Sequence, residues 1–167
     1  FFTYLNDSQV LYCHWKSTIR LHKGLAGKTD LDLLVHRKDE QSFERALSTF
    51  GFKRIVSPAW KRYPGVEDYL GLDRTTAAFV HLHVHYNLVL GEKRLKVIHL
   101  DREDCVLQAR RFIGMIPVPR PEVELLLAII RFHLKFEPEE IALNHLKRTL
   151  RPARTPYPQA VWEELVF

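Results

Sequence analysis

Hydrophobic and polar positions alternate with period two over residues 10–16 (VLYCHWK). This predicts a strand with Leu11, Cys13 and Trp15 on one face and Tyr12, His14 and Lys16 on the other. Before it, residues 5–11 read as the end of a helix or a loop; after it, residues 17–25 read as a helical turn or short helix closed by Gly24 or Gly27. Residues 30–36 (DLDLLVH) form the next expected strand, with Leu31, Leu33 and Val35 facing one way and Asp30, Asp32 and Leu34 the other. The period then changes. Phe43, Ala46, Leu47 and Phe50 fall at helical spacing, predicting a helix over 39–50 with Asp39 as N-cap and Gly51 just past its end. Residues 52–56 read as a short strand and 58–64 as a loop carrying Trp60 and Tyr63. Residues 66–73 and 77–88 read as two strands joined by a turn at 74–76. A turn at Gly91-Glu92-Lys93, a strand over 95–100 and a helix over 101–112 follow. The proline-rich stretch 116–121 reads as a rigid linker, with Pro121 at the first position of an apolar helix reaching about residue 136. A helix opened by Pro138 to about 150, an irregular stretch 151–158 and a last short helix over 161–167 complete the expected order.

Strand, helix, strand, strand is the order of an α+β fold: a mixed β-sheet with helices packed on one face, here followed by a small C-terminal helical segment. The expected division is residues 1–116 for the sheet domain and 117–167 for the helical segment. The length, 167 residues, suits such an arrangement and is sufficient for a real core. No apolar run reaches the roughly 18–20 residues needed to cross a bilayer, so no membrane span is expected. The first residues lack the basic-then-apolar pattern of a secretory leader. Cys13 and Cys105 make neither a disulfide framework nor a CxxC site, and Cys13 is expected to be a small buried hydrophobe. These features fit a cytoplasmic protein. The net charge of +5 favours anionic partners such as nucleotide phosphates; nucleic acid is compatible with it but not indicated.

Asp30 and Asp32 are the first candidates for chemistry. Two residues apart on a strand, their Cα atoms lie about 6–7 Å from each other with side chains on the same face. Carboxylates so placed repel unless a cation lies between them. Mg²⁺ or Mn²⁺, hard ions that accept carboxylate, water and phosphate oxygens, would answer that need, and such ions can activate a hydroxyl and stabilise a pyrophosphate leaving group. Solvated acids on the polar face of a strand would give the same DxD spacing. The context separates the two readings: Gly27, Lys28 and Thr29 supply a flexible turn, a cation and a hydroxyl immediately upstream, and Leu33 to Val35 carry the strand into a core.

The run GKTDLDLLV resembles the signature of the DNA-polymerase-β-like nucleotidyltransferase superfamily, a glycine and a Ser/Thr followed by Asp-hydrophobic-Asp-hydrophobic. Together with WKS it also resembles uncharacterised bacterial nucleotidyltransferase-like proteins. The resemblance covers residues 10–100. It implies a nucleotidyltransferase-like sheet, an NTP substrate, and Mg²⁺ or Mn²⁺ held by Asp30 and Asp32. It also implies phosphate contacts from a turn about a dozen residues upstream, where Lys16-Ser17 stands; Ser17 matches the family's serine and Lys16 replaces its glycine. The implied nucleotide-binding residues are Lys16, Ser17, Gly27, Lys28 and Thr29. The family's third carboxylate belongs on a later strand, here residues 77–86, which carries His81, His83 and His85 on one face and no acid. His81 or His83 is therefore expected as a metal ligand, with His83 joining Asp30 and Asp32 as a catalytic residue. Glu67, Asp68 and Asp73 on the neighbouring strand are substitutes for the missing carboxylate.

Three histidines at alternate positions span about 13 Å, so two of them, with a carboxylate from elsewhere, are the most that could share one ion. Trp60 and Tyr63 could stack on a base, but closure over a core edge is the expected role. Lys61, Arg54 and Arg62 are expected to be solvated cations, and Lys147, Arg148, Arg151 and Arg154 to complement a helix C-terminus. The absence of P-loop, dinucleotide-fold and nucleophile-elbow motifs argues against those enzyme classes. Three functions remain: an enzyme moving a nucleoside monophosphate from an NTP to an acceptor; a catalytically inactive nucleotide- or partner-binding module of the same fold; and a histidine–aspartate metal-dependent hydrolase.

Overall fold

The computed structural model describes residues 1–91 and 98–134. The helices expected over 138–150 and 161–167, the basic cluster Lys147, Arg148, Arg151 and Arg154, and most of the turn and strand expected over 91–97 lie outside these residues. The described part is a mixed α+β structure. Its centre is a five-stranded sheet in the order β1-β2-β5-β4-β3, where β1 is Tyr12–His14, β2 Leu31–Val35, β3 Lys53–Ile55, β4 Val66–Asp73 and β5 Ala78–His85. All neighbours are antiparallel except β2 and β5, which run parallel. Short hairpins pair β6 (Leu88–Leu90) with β7 (Ile98–Leu100) and β8 (Arg110–Ile113) with β9 (Ile116–Pro119).

Five α-helices are described: α1 (Phe2–Asp7), α2 (Leu21–Leu25), α3 (Glu40–Thr49), α4 (Glu103–Gln108) and α5 (Pro121–Leu134). Helix α3 follows from its apolar stripe, since Phe43, Ala46 and Leu47 are buried. Gly51 ends it at φ +75°, a conformation that costs a glycine little. Asp39 precedes α3, but its carboxylate accepts a hydrogen bond from the Leu11 amide at 2.9 Å instead of capping the helix.

The helices do not share one face of the sheet, as the sequence pattern predicts; they cover both. Leu31, Leu33 and Val35 of β2 pack with Phe43, Ala46 and Leu47 of α3, Leu5 of α1 and Leu21 of α2. Leu34, on the opposite face of the same strand, packs with Cys13, Trp15, Val106 and Leu107 of α4, and Leu127 of α5. A strand so enclosed reads as a nearly continuous apolar run, and this is the reason LDLLV carries three consecutive apolar residues.

Three further expectations change. The stretch 116–121 is no linker: Ile116 and Val118 are buried in the α3-side core as part of β9, so apolar alternation prevails over proline stiffness. The helix expected over 101–112 stops at Gln108, and Arg110 begins β8. The strand expected over 77–88 ends at His85, and β6 restarts at Leu88. No helix among the described residues is long and apolar enough to cross a membrane.

Cys13 is fully buried and Cys105 exposed, and burial pushes the Cys13 thiol up to about 12. The folded protein should therefore react with a thiol reagent at Cys105, leaving Cys13 unmodified until denaturant is added. Mass spectrometry of the labelled peptides checks this; fast native labelling of Cys13 would contradict the packing.

Candidate functional site

The parallel pairing of β2 and β5 sets Asp32 directly opposite His83, and the antiparallel pairing of β4 and β5 sets His83 opposite Asp68. Paired residues share a face, so Asp32, His83 and Asp68 form a row across three strands, with His81 and His85 on the same face two positions either side. His83 Nδ1 lies 2.9 Å from Asp32 Oδ1. His85 Nε2 is 3.3 Å from His83 Nδ1 and 3.7 Å from Asp32 Oδ1.

The fourth member arrives from the turn after β1. The Trp15 amide donates to the Asp32 carbonyl at 3.1 Å, extending the β1–β2 ladder to the residue before Lys16. The His14 ring then clamps the turn, with Nδ1 3.1 Å from the Asp32 carbonyl oxygen and Nε2 3.0 Å from that of Ser17. Helix α5 holds the turn from the other side. Arg131 donates to the Lys16 carbonyl at 2.7 Å, and buried Glu124 accepts from both the Thr18 amide, at 2.8 Å, and the Thr18 hydroxyl. Held in this way, the Lys16 ammonium donates to Asp32 Oδ1 and lies 3.0 Å from His85 Nε2 and 3.3 Å from His83 Nδ1. A carboxylate only accepts, so His83 Nδ1, 2.9 Å from Asp32 Oδ1, is the donor of that pair, and Asp32 Oδ1 and His85 Nε2 are left as the acceptors for the ammonium.

The centre is largely screened from water: side-chain exposure is 16% for Lys16, 14% for Asp32, 15% for His83 and zero for His85. Burial alone would raise the Asp32 carboxyl; the Lys16 charge, the hydrogen bond from His83 and the nearby His85 ring override it and hold that carboxyl well below the usual range. Burial, reinforced by the neighbouring Lys16 charge, holds His85 well below the ordinary histidine value. Burial also lowers Lys16, with Asp32 opposing it.

The other expected site residues are dispersed around this cluster. Asp30 accepts a hydrogen bond from the Thr29 hydroxyl at 2.9 Å and is not among the converging ligand atoms. Lys28 is exposed. Gly27 serves the turn itself, since its φ is +68° and a Cβ there would meet the Phe79 carbonyl oxygen at 2.5 Å. Ser17 contributes its carbonyl to His14. His81 turns to Asp68, 2.9 Å away, and that hydrogen bond raises its pKa. Of the substitute carboxylates, Glu67 pairs with Arg54 and Asp73 caps the turn at Thr75 and Thr76; only Asp68 stands in the row. His85 was named with its strand but not chosen as a ligand, and Glu124 and Arg131 were not singled out as site residues. The HxHxH spacing carried a signal for the first. For the other two the signal was a pair of opposite charges seven residues apart, two turns on one face of an otherwise apolar helix.

Next to the centre lies an open cavity of about 1020 Å³. It is lined from β3, from Ser57, Trp60 and residues 62–65 of the following loop and from the start of β4, and it reaches Asp68 and His83. Trp60 lines it with 80% of its surface exposed, so it does not close over a core edge.

One ligand atom from each of Asp32, His83 and His85 lies within 4.8 Å of the others. One oxygen and two imidazole nitrogens form a set that suits borderline ions such as Zn²⁺ and Fe²⁺, and that Mn²⁺, though hard, accepts more readily than Mg²⁺ does. Mg²⁺ would have to rely on Asp32 and Asp30 with water and phosphate oxygens. Two features count against metal at His85: Lys16 already stands among the same three atoms, and His85 Nδ1 is buried with no partner among the described residues, whereas a ligating imidazole ordinarily has its second nitrogen held. No protein-family model, curated protein or solved structure matches the chain.

Proposed function

We propose that this protein is a divalent-metal-dependent nucleotidyltransferase, moving a nucleoside monophosphate from an NTP to an acceptor. The observation that carries the reading is the placement of Asp32, on the GKTDLDLLV strand, opposite His83 on the adjacent parallel strand beside an open cavity. This is where the resemblance implies that two carboxylates meet their third partner. Asp30 and Asp32 would hold the ion, Mn²⁺ being better suited than Mg²⁺ where His83 joins them. Such an ion neutralises phosphate oxygens and makes an attacking hydroxyl more acidic. The chain's own part is positioning and charge. Lys16 and Lys28 would meet the phosphates as point charges, with the Ser17 and Thr29 hydroxyls as donors. His83, held by Asp32, would orient the acceptor hydroxyl and take up its proton.

A second reading has its own observation. The Lys16 ammonium among Asp32, His83 and His85 is a cation supplied by the chain itself. In a module that binds a nucleotide without turning it over, Lys16 would stand permanently where the enzyme needs metal.

Isothermal titration with ATP, GTP, CTP and UTP, with Mg²⁺, with Mn²⁺ and with neither, separates the two. The transferase should bind one nucleotide in a metal-dependent manner, and Asp32→Asn should abolish that binding. Metal-independent binding without pyrophosphate release would favour the module. No binding by any nucleotide would refute both, and tightly held zinc or iron in the purified protein would turn attention to hydrolysis.

A further inference from the structure

We infer that the cavity beside the centre binds a planar aromatic ring bearing a phosphate or similar anionic group, and that this molecule is the acceptor. Naming it the acceptor rests on the transferase reading; the binding itself does not.

Three exposed apolar side chains line the cavity: Ile55 at 43%, Val56 at 67% and Trp60 at 80% exposure. Exposed apolar side chains gathered round one concavity are what a ligand-binding cleft presents. The indole makes no ring contact with any described residue, so its face is open to a ligand. Stacking on such a face is tolerant of ring identity, because every flat heterocycle presents a π-surface. The anionic requirement comes from Arg62, which also lines the cavity. Its Nε donates to the Ser57 carbonyl at 2.6 Å, which fixes the guanidinium. Its two terminal amino groups have no partner among the described residues, and a planar fork of that kind suits phosphate or carboxylate. The cavity, about 1020 Å³, has room for a mononucleotide-sized molecule, since small-ligand pockets span about 300–1,000 Å³. His83, the partner of Asp32, also lines it. A ring seated on Trp60 therefore shares one cavity with the centre's His83.

Quenching of tryptophan fluorescence and calorimetry with AMP, phenyl phosphate and ribose 5-phosphate test this on the full chain. AMP or phenyl phosphate should bind, and ribose 5-phosphate should bind far more weakly. Trp60→Leu, a substitution at an exposed position that the fold should tolerate, should weaken binding of the ring compounds about 5- to 100-fold, with Trp60→Phe recovering most of it. Arg62→Ala should weaken the phosphates while leaving adenosine unaffected. Asp32→Asn should retain ring binding, so failure of the transferase reading is distinguishable from failure of the pocket. Equal affinity for ribose 5-phosphate and AMP, unchanged affinity in Trp60→Leu, or no binding of either ring compound would overturn the inference.

Discussion

Replacing Asp32 with alanine is expected to destabilise the fold by about 3–5 kcal/mol, the usual consequence of leaving one member of a buried ion pair without its partner. Lys16 and Asp32 are each about one-seventh exposed or little more, so water cannot take over the missing charge. The remaining acceptor, His85 Nε2, belongs to a ring whose burial disfavours its charged form, and a neutral imidazole solvates an ammonium less well than a carboxylate does. The loss should be largely reversed in the double variant Lys16→Met, Asp32→Ala, which removes the orphaned charge, even though each substitution deletes a contact. Urea unfolding of the four proteins at one pH gives the coupling directly. An Asp32→Ala protein as stable as the parent would show that Lys16 is not held in the centre. Metal-dependent nucleotide binding should be lost in both Asp32 variants regardless of stability, because the double variant restores packing but not a ligand.

Lowering the pH of the metal-free protein should also destabilise it, starting near pH 6.5. His85 is fully buried, faces Lys16, Asp32, His83 and the edge of Trp15, and is held well below its ordinary value of 6.5, first by burial and then by the Lys16 charge. A group depressed in the folded state binds its proton more readily when unfolded. Its stabilising contribution is therefore complete above about pH 6.5 and is lost as pH falls towards the folded value, at about 1.4 kcal/mol for each unit of separation. Asp32 acts in the same sense further down, below its ordinary value of 3.8. His81, raised by Asp68, acts oppositely, and its contribution is lost as pH rises through its folded value. Unfolding free energy measured from pH 8 to pH 5 should fall, and His85→Gln should flatten that slope. A parent protein whose stability rises on acidification would refute the neutral, buried state of His85.

Much of the frame was legible along the chain. The helix over 39–50, the strands 30–36 and 66–73, and the Asp32–His83 pairing candidates follow from periodicity and residue type, which are local properties of a few neighbouring positions. The failures have equally physical origins. Prolines at 117 and 119 suggested a stiff linker, yet Ile116 and Val118 find buried partners, and burial outweighs the ladder bonds that proline cannot make. Trp60 looked like core because of its size; its loop carries it to a cavity wall. Among the histidines, spacing showed that two could meet one centre with an acid, but not which two. Register sets His83 opposite both Asp32 and Asp68, and the side chains decide the rest. Asp68, on the antiparallel neighbour, takes His81, leaving His83 and His85 to Asp32.

The sequence by itself determined which residues share a face: alternation puts Asp32 and Leu34 together on β2, and His81, His83 and His85 together on β5, wherever those strands lie, whereas Asp30 stands before β2 begins. Only the tertiary structure decided what each face meets. Asp32 and His83 are 51 residues apart and Lys16 and Arg131 are 115 apart. Strand order, register and the return of α5 onto the sheet bring them together, and these depend on the burial of the whole core, which no short stretch of sequence encodes.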